Sequence, residues 1–221
     1  MSNRIVLIGD IVESKKMNEA GRSRLQEQLS GLIETINAKS KSIEAPMTIT
    51  LGDEFQAVYS GGESILKDSW TILAGIHPVS VRFSIGIGNI VTPINKKQAL
   101  GMDGPAFYAA RAGIEKLKKS GNMYRVEIAD ISGIDREKLE LRLLNLTLEL
   151  LSNEMKRWKK VRFQILERLN QGLAIKDIAR ALKLSDAAVY KNRDEGDLNL
   201  MLDLQSTVSQ LLNQKLKELS Q

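Results

Sequence analysis

Hydrophobic and polar positions alternate with two different periods along this chain, and the change of period divides it. In residues 4–9, Arg4 leads into the continuous apolar run Ile5-Val6-Leu7-Ile8-Gly9, of strand length. Residues 19–39 repeat apolar positions at helical spacing, with Leu25, Leu29, Leu32, Ile33 and Ile36 on one stripe. Residues 46–51 and 54–60 predict a hairpin that turns at Gly52-Asp53. Gly61-Gly62 then interrupts the pattern, and residues 63–75 predict a second helix. Residues 79–90 read as a strand in which Val81, Phe83, Ile85 and Ile87 alternate. Residues 104–120 predict a third helix, stopped by Gly121-Asn122, and residues 123–129 a last strand. Asp103 is expected to cap that third helix, with Pro105 in its first turn. The order β-α-β-β-α-β-α-β contains the split βαβ, or ferredoxin-like, core.

From Asp135 the strand signals stop and leucine-rich helices take over. Leu139, Leu143, Leu146 and Leu150 line one helix face, and Leu141, Leu144, Leu148 and Leu151 widen it. So apolar a helix must bury two faces, against its own core or a partner. A final helix over 198–219 carries Met201, Leu204, Val208, Leu211 and Leu212. The expected fold class is α+β, with one domain over 1–133 and an all-α domain over 134–221. A homodimer joined through 136–158 and 198–219 is expected.

Charge sharpens the picture of the second half. The net charge is +5, and residues 156–193 alone hold 11 basic and 3 acidic side chains. Such a stretch is the footprint of a polyanion partner, or a solvated helix face. It holds a helix over 163–169, another over 174–182, a turn at Lys183-Leu184-Ser185 and a third helix over 186–193. Ala179 is small enough for a close helix crossing, and Ser185 is a good N-cap. These features resemble a helix-turn-helix of bacterial regulators. The resemblance implies double-stranded DNA as partner, met by Lys176, Asp186, Ala187, Tyr190, Lys191 and Arg193. A helical hairpin used only for packing is the other reading.

There are no cysteines, which removes disulfides and thiolate metal sites. No basic-then-apolar leader opens the chain, and no apolar run nears the roughly 20 residues that span a bilayer. A cytoplasmic location with no membrane partner is expected. His77, the one histidine, precedes Pro78 in a turn signal and is expected to serve a loop.

Two apolar segments run into Gly-Asp, at Gly9-Asp10 and Gly52-Asp53. Carboxylates at the mouths of neighbouring strands suit hard divalent cations, and metals so held position a triphosphate. Asp10 and Asp53 are therefore the candidate ligands for Mg²⁺ or Mn²⁺, although Gly-Asp also serves simple turns. Backbone N–H groups over Ile11, Val12 and Ser14, with Lys15, Glu54 and Arg111, complete a candidate nucleotide site. Glu54 and Arg111 each have a second reading as an ion-pair partner.

Gly9-Asp10-Ile11 resembles the first metal motif of class III nucleotidyl cyclases, and Gly52-Asp53 falls where that superfamily places its second metal Asp. Leu51-Gly52-Asp53-Glu54-Phe55 is similar to the GGDEF signature of diguanylate cyclases, and Ala109-Ala110-Arg111 resembles the helix that supplies a phosphate-binding Arg. The resemblance implies a cyclase-type palm over residues 4–129. The chain departs from it at Ile49 and Phe107, where purine-selecting cyclases place Lys and Asn, and at Leu51, which replaces the first Gly of GGDEF. Gly9-Asp10-Ile11-Val12-Glu13-Ser14-Lys15, Gly52-Asp53-Glu54-Phe55-Gln56 and Gly101-Met102-Asp103-Gly104-Pro105-Ala106 together resemble the SatD family, a small bacterial family. Two functions stay open: a DNA-binding regulatory protein with a nucleotide- and metal-sensing palm, or a metal-dependent nucleotidyl cyclase or nucleotidyltransferase. A palm with no ligand is a third reading, against which the retained Asp10 and Asp53 argue.

Overall fold

The computed structural model describes residues 2–50, 52–129 and 135–220, with Ser2 and Lys15 described by their backbone alone. The first half runs β1 (Ser2–Ile11), α1 (Glu19–Lys39), β2 (Ile43–Ile49), β3 (Glu54–Tyr59), α2 (Ile65–Ile76), β4 (Val81–Ile90), α3 (Pro105–Ser120) and β5 (Tyr124–Ile128). The second half is helical among the described residues: α4 (Asp135–Met155), α5 (Lys160–Asn170), α6 (Ile175–Leu182), α7 (Asp186–Glu195) and α8 (Leu198–Glu218). The strands form one mixed sheet in the order β2-β3-β1-β4-β5. β1 lies antiparallel to both β3 and β4, β2 is antiparallel to β3, and β4 is parallel to β5.

The unbroken apolar run of β1 follows from its central place, because both of its faces are covered. Ile5, Leu7 and Ile11 point to the face that α1 and α2 cover, while Val6 and Ile8 meet Ala106, Ala110 and Ile114 of α3. α1 begins where the Asn18 side chain accepts from the Gly21 N–H at 2.8 Å, and it buries Leu25, Leu29, Ile33 and Ile36. α3 ends at Gly121, whose φ of 72° closes the last turn. Its start differs from expectation. Gly104 stands at the cap position, and Asp103, one residue further out, accepts from the Gly104 N–H and from the Tyr108 hydroxyl.

Of the second-half helices, α4 and α8 pack on the sheet, while α5 packs on α2 and carries α6 and α7. Asn145 of α4 clamps edge strand β5, its Oδ1 accepting from the Val126 N–H and its Nδ2 donating to the Val126 carbonyl, both at 2.9 Å. Leu144, Leu148, Leu151 and Met155 face inward from α4. α8 buries Leu198, Met201, Val208 and Leu212 in the same apolar core as Ile5 and Leu7. Much of the apolar stripe expected to join two chains through α8 is therefore covered within the chain. His77 ends α2, and its Nε2 lies 3.2 Å from the Trp158 carbonyl oxygen at the foot of α5. The expected division at 133/134 falls within 130–134, outside the described residues.

Candidate functional site

The two Gly-Asp pairs arise for different physical reasons. Gly9 lies opposite Phe55 in the β1–β3 register, and a Cβ there would stand 2.1 Å from the Phe55 ring. Only glycine allows that ring to lie across the strand. Gly52 instead has φ of +69°, the left-handed conformation the turn demands. The Leu51 position of the GGDEF-like stretch lies outside the described residues.

Asp10 has Glu54 on β3 and Arg82 on β4 as its two cross-strand neighbours. All three side chains share the α3 face, since they continue the alternation set by Val6 and Ile8. Arg82 Nη1 donates to Asp10 Oδ2 at 2.7 Å. Arg111, one turn beyond the Phe107 position on α3, donates to Glu54. Asp10 and Glu54 are buried, so each carboxylate depends on its arginine for charge balance. The Arg111 side chain is 48% exposed while that of Arg82 is 19% exposed, so Arg111 is the partner that can swing into solvent. Lys118, further along α3, has its ammonium pKa raised first by its bond to Glu115, with the charges of Asp10 and Glu54 adding to the effect.

Asp53 belongs to the same end of the sheet but is held differently. Ser14 Oγ donates to its Oδ2 at 2.6 Å, from the single 3-10 turn Ser14–Lys16. The Ile11 N–H donates to the Asp53 carbonyl and the Val12 N–H to the Ser80 carbonyl, each at 2.9 Å. The amides of Ile11 and Val12, expected to face a phosphate, are thus engaged by carbonyls of neighbouring segments, and the Ser14 hydroxyl holds Asp53. The Lys15 side chain lies outside the described residues. Arg82 and Lys118 were not singled out by sequence, because the register that sets Arg82 beside Asp10 is a property of the sheet.

Among the described residues, no three His, Cys, Asp or Glu side chains converge as a metal cage. Asp10, Asp53 and Glu54 offer only carboxylate oxygens, the donors that suit Mg²⁺ or Mn²⁺. A cation with one or two protein carboxylates takes its remaining ligands from water and phosphate. The residues fit a metal that arrives with a phosphorylated ligand better than one held alone.

In the second candidate region, α6 and α7 meet through a tight turn. Lys183 adopts φ of 55°, the Leu184 N–H donates to the Ala179 carbonyl at 2.9 Å, and Ser185 Oγ accepts from the Ala188 N–H at 3.1 Å. Ile178, Ala179 and Val189 are buried beneath the turn. Lys176, Asp186, Ala187, Tyr190 and Lys191 are exposed. Arg193 is half-buried, its guanidinium 4.8 Å from the Tyr190 ring centroid and its Nε 2.8 Å from Asp194. No described helix is long and apolar enough to cross a membrane.

Comparison with solved structures finds similarity to a bacterial light-regulated adenylyl cyclase, with 16% identity, a TM-score of 0.40, and coverage of 57% of this chain and 43% of that one. Comparison with curated proteins finds no match. A model of the SatD family matches residues 4–212, and the chain belongs to the SatD family.

Proposed function

We propose that the chain is a DNA-binding regulatory protein whose sheet end, at Asp10, Asp53 and Glu54, takes up a nucleotide phosphate together with Mg²⁺ or Mn²⁺. The observation that carries this reading is the in-register row Arg82–Asp10–Glu54, closed by Arg111 from α3. Two buried carboxylates and two guanidiniums balance one another in the free chain. A phosphate draws Arg111 away from Glu54, and a divalent cation takes the charge the arginine leaves behind. Bound there, the metal would supply charge neutralisation for the phosphate oxygens. The strand order and directions are those a ferredoxin-like core has when one parallel strand, β5, is added at its edge. That supports a palm, while apolar Ile49 and Phe107 support sensing over turnover of a purine nucleotide.

The α6–Lys183–α7 turn supports the DNA part. α7 presents Asp186, Ala187, Tyr190 and Lys191 on an exposed side, the side a helix-turn-helix offers to the major groove. Calorimetry with Mg²⁺–ATP and Mg²⁺–GTP tests the sheet site. Nucleotide affinity should require the metal and fall at least ten-fold in Asp10→Asn or Asp53→Asn. Equal affinity in the wild type and both variants, or equal affinity without metal, overturns the reading.

A further inference from the structure

Four large apolar side chains on one face of α4 have no cover among the described residues. Leu139, Leu143, Leu146 and Leu150 are 66%, 65%, 49% and 71% exposed, while the opposite face of the same helix is buried against β5 and α8. Their spacing of four, three and four residues is that of a two-heptad coiled-coil seam. The seam sits on a helix fixed by the Asn145 clamp on β5, so it is presented as a rigid ridge. Four exposed leucines in one line form the kind of contiguous patch that marks an interface.

We propose that this face pairs with the α4 of a second copy, antiparallel and about a two-fold axis near residues 144 and 145. The charges flanking the seam select both the occupant and its direction. With Leu143 and Leu150 at a and Leu139 and Leu146 at d, positions g hold Asp135, Arg142 and Glu149, and positions e hold Glu140, Thr147 and Glu154. A parallel pair sets each g against the following e of the other helix. It places Asp135 by Glu140 and Glu149 by Glu154, like charges twice over on each side. An antiparallel pair sets g against g, and Arg142 of each copy then meets Glu149 of the other. Leu143 packs against Leu146 and Leu139 against Leu150 across the axis. Arg142 and Glu149 are exposed, and neither forms an ion pair among the described residues. The same surface is thus complementary to itself, as an isologous interface must be.

The inference is independent of the DNA and nucleotide readings, and light scattering of the full chain reads it directly. Across 1–100 micromolar protein, the particle mass should rise from 24.6 kDa to twice that value. Leu143→Glu combined with Leu150→Glu replaces exposed side chains, so its circular dichroism should match the wild type while the particle stays monomeric. Arg142→Glu sets like charges together in the antiparallel arrangement alone, and should weaken the dimer about ten-fold. Adding Glu149→Arg should restore it. A wild type that is monomeric at 100 micromolar overturns the proposal, as does a dimer that survives the double leucine substitution. A dimer indifferent to Arg142→Glu overturns the antiparallel arrangement.

Discussion

At the scale of single residues, the proposed site sets two arginines and a divalent cation in competition for the same carboxylates. Removing Arg82 leaves the buried Asp10 carboxylate without its charge partner, which should cost about 3 kcal/mol of stability. The same change frees an oxygen ligand. Arg82→Ala should therefore be destabilised in metal-free buffer and recover more of its melting temperature than the wild type gains when millimolar Mg²⁺ or Mn²⁺ is added. Thermal denaturation with and without the metal checks this, and an equal response in both proteins would separate Asp10 from metal binding.

Asp68, on α2, gives a second residue-scale prediction. Its carboxylate accepts from Ser40 Oγ at 2.8 Å and Tyr59 Oη at 3.0 Å, yet burial dominates and raises its pKa from 3.8 to about 6. A folded-state value above the unfolded one means that the native chain binds the extra proton between those two pH values. Stability from this group therefore falls as pH rises from about 4 to about 6, by roughly 3 kcal/mol across the window. Asp68→Asn keeps acceptors for both hydroxyls and lacks the titration. Relative to the wild type, it should gain stability at pH 7 over pH 4, as measured by urea denaturation. A wild-type-minus-variant difference that does not change with pH would contradict the assignment.

At the scale of elements, local chemistry decides where each segment starts and stops. Alternation and glycine punctuation were legible: the order of strands and helices up to β5 follows from them, and α1 spans the same residues, Glu19–Lys39, that its apolar stripe predicts. Partners across the sheet were not legible. Nothing in the string Val81-Arg82-Phe83 says that residue 82 will lie opposite residue 10, because register emerges only when strands pair. The loop after β1 meets the same limit. Its amides were read as free, but the neighbouring carbonyls of Asp53 and Ser80 take those of Ile11 and Val12. The leucine-rich helices show a third limit. α4 carries two apolar faces and sequence cannot rank them; the Asn145 contact with β5 is what turns Leu144 and Leu148 inward and Leu143 and Leu150 outward.

The helix pair α6–α7 yields a prediction of its own. Ser185 satisfies the Ala188 N–H at the start of α7, and its hydroxyl is the side-chain cap there. Ser185→Ala should lower stability by about 1 kcal/mol, with a matching loss of amide-exchange protection over residues 186–189. If α7 carries the DNA contact, the same variant should weaken DNA binding beyond what its loss of stability explains. Protection unchanged at Ala188 would show that the turn, held by Leu184 and Ala179, positions the helix without the cap.

At the scale of the whole molecule, one apolar core links the sheet to the helices that follow it. Ile5 of β1, Ile72 of α2, Phe163 of α5 and Leu212 of α8 belong to the same buried cluster. This continuity joins the face of β1 opposite Asp10 to α2 and α5, on which α6 and α7 rest. The basic stretch over 156–193 lies in that second layer, and its charge sets the salt dependence of any contact with a phosphate backbone. The central claim, that this layer binds duplex DNA through α7, is tested most directly by fluorescence anisotropy of labelled duplex fragments titrated with the full chain at two salt concentrations. Affinity should fall at least ten-fold between 50 and 200 mM salt, and Lys191→Ala and Arg193→Ala should each weaken binding at both concentrations. Absence of binding at 50 mM salt, or binding equal in the wild type and both variants, would contradict the account.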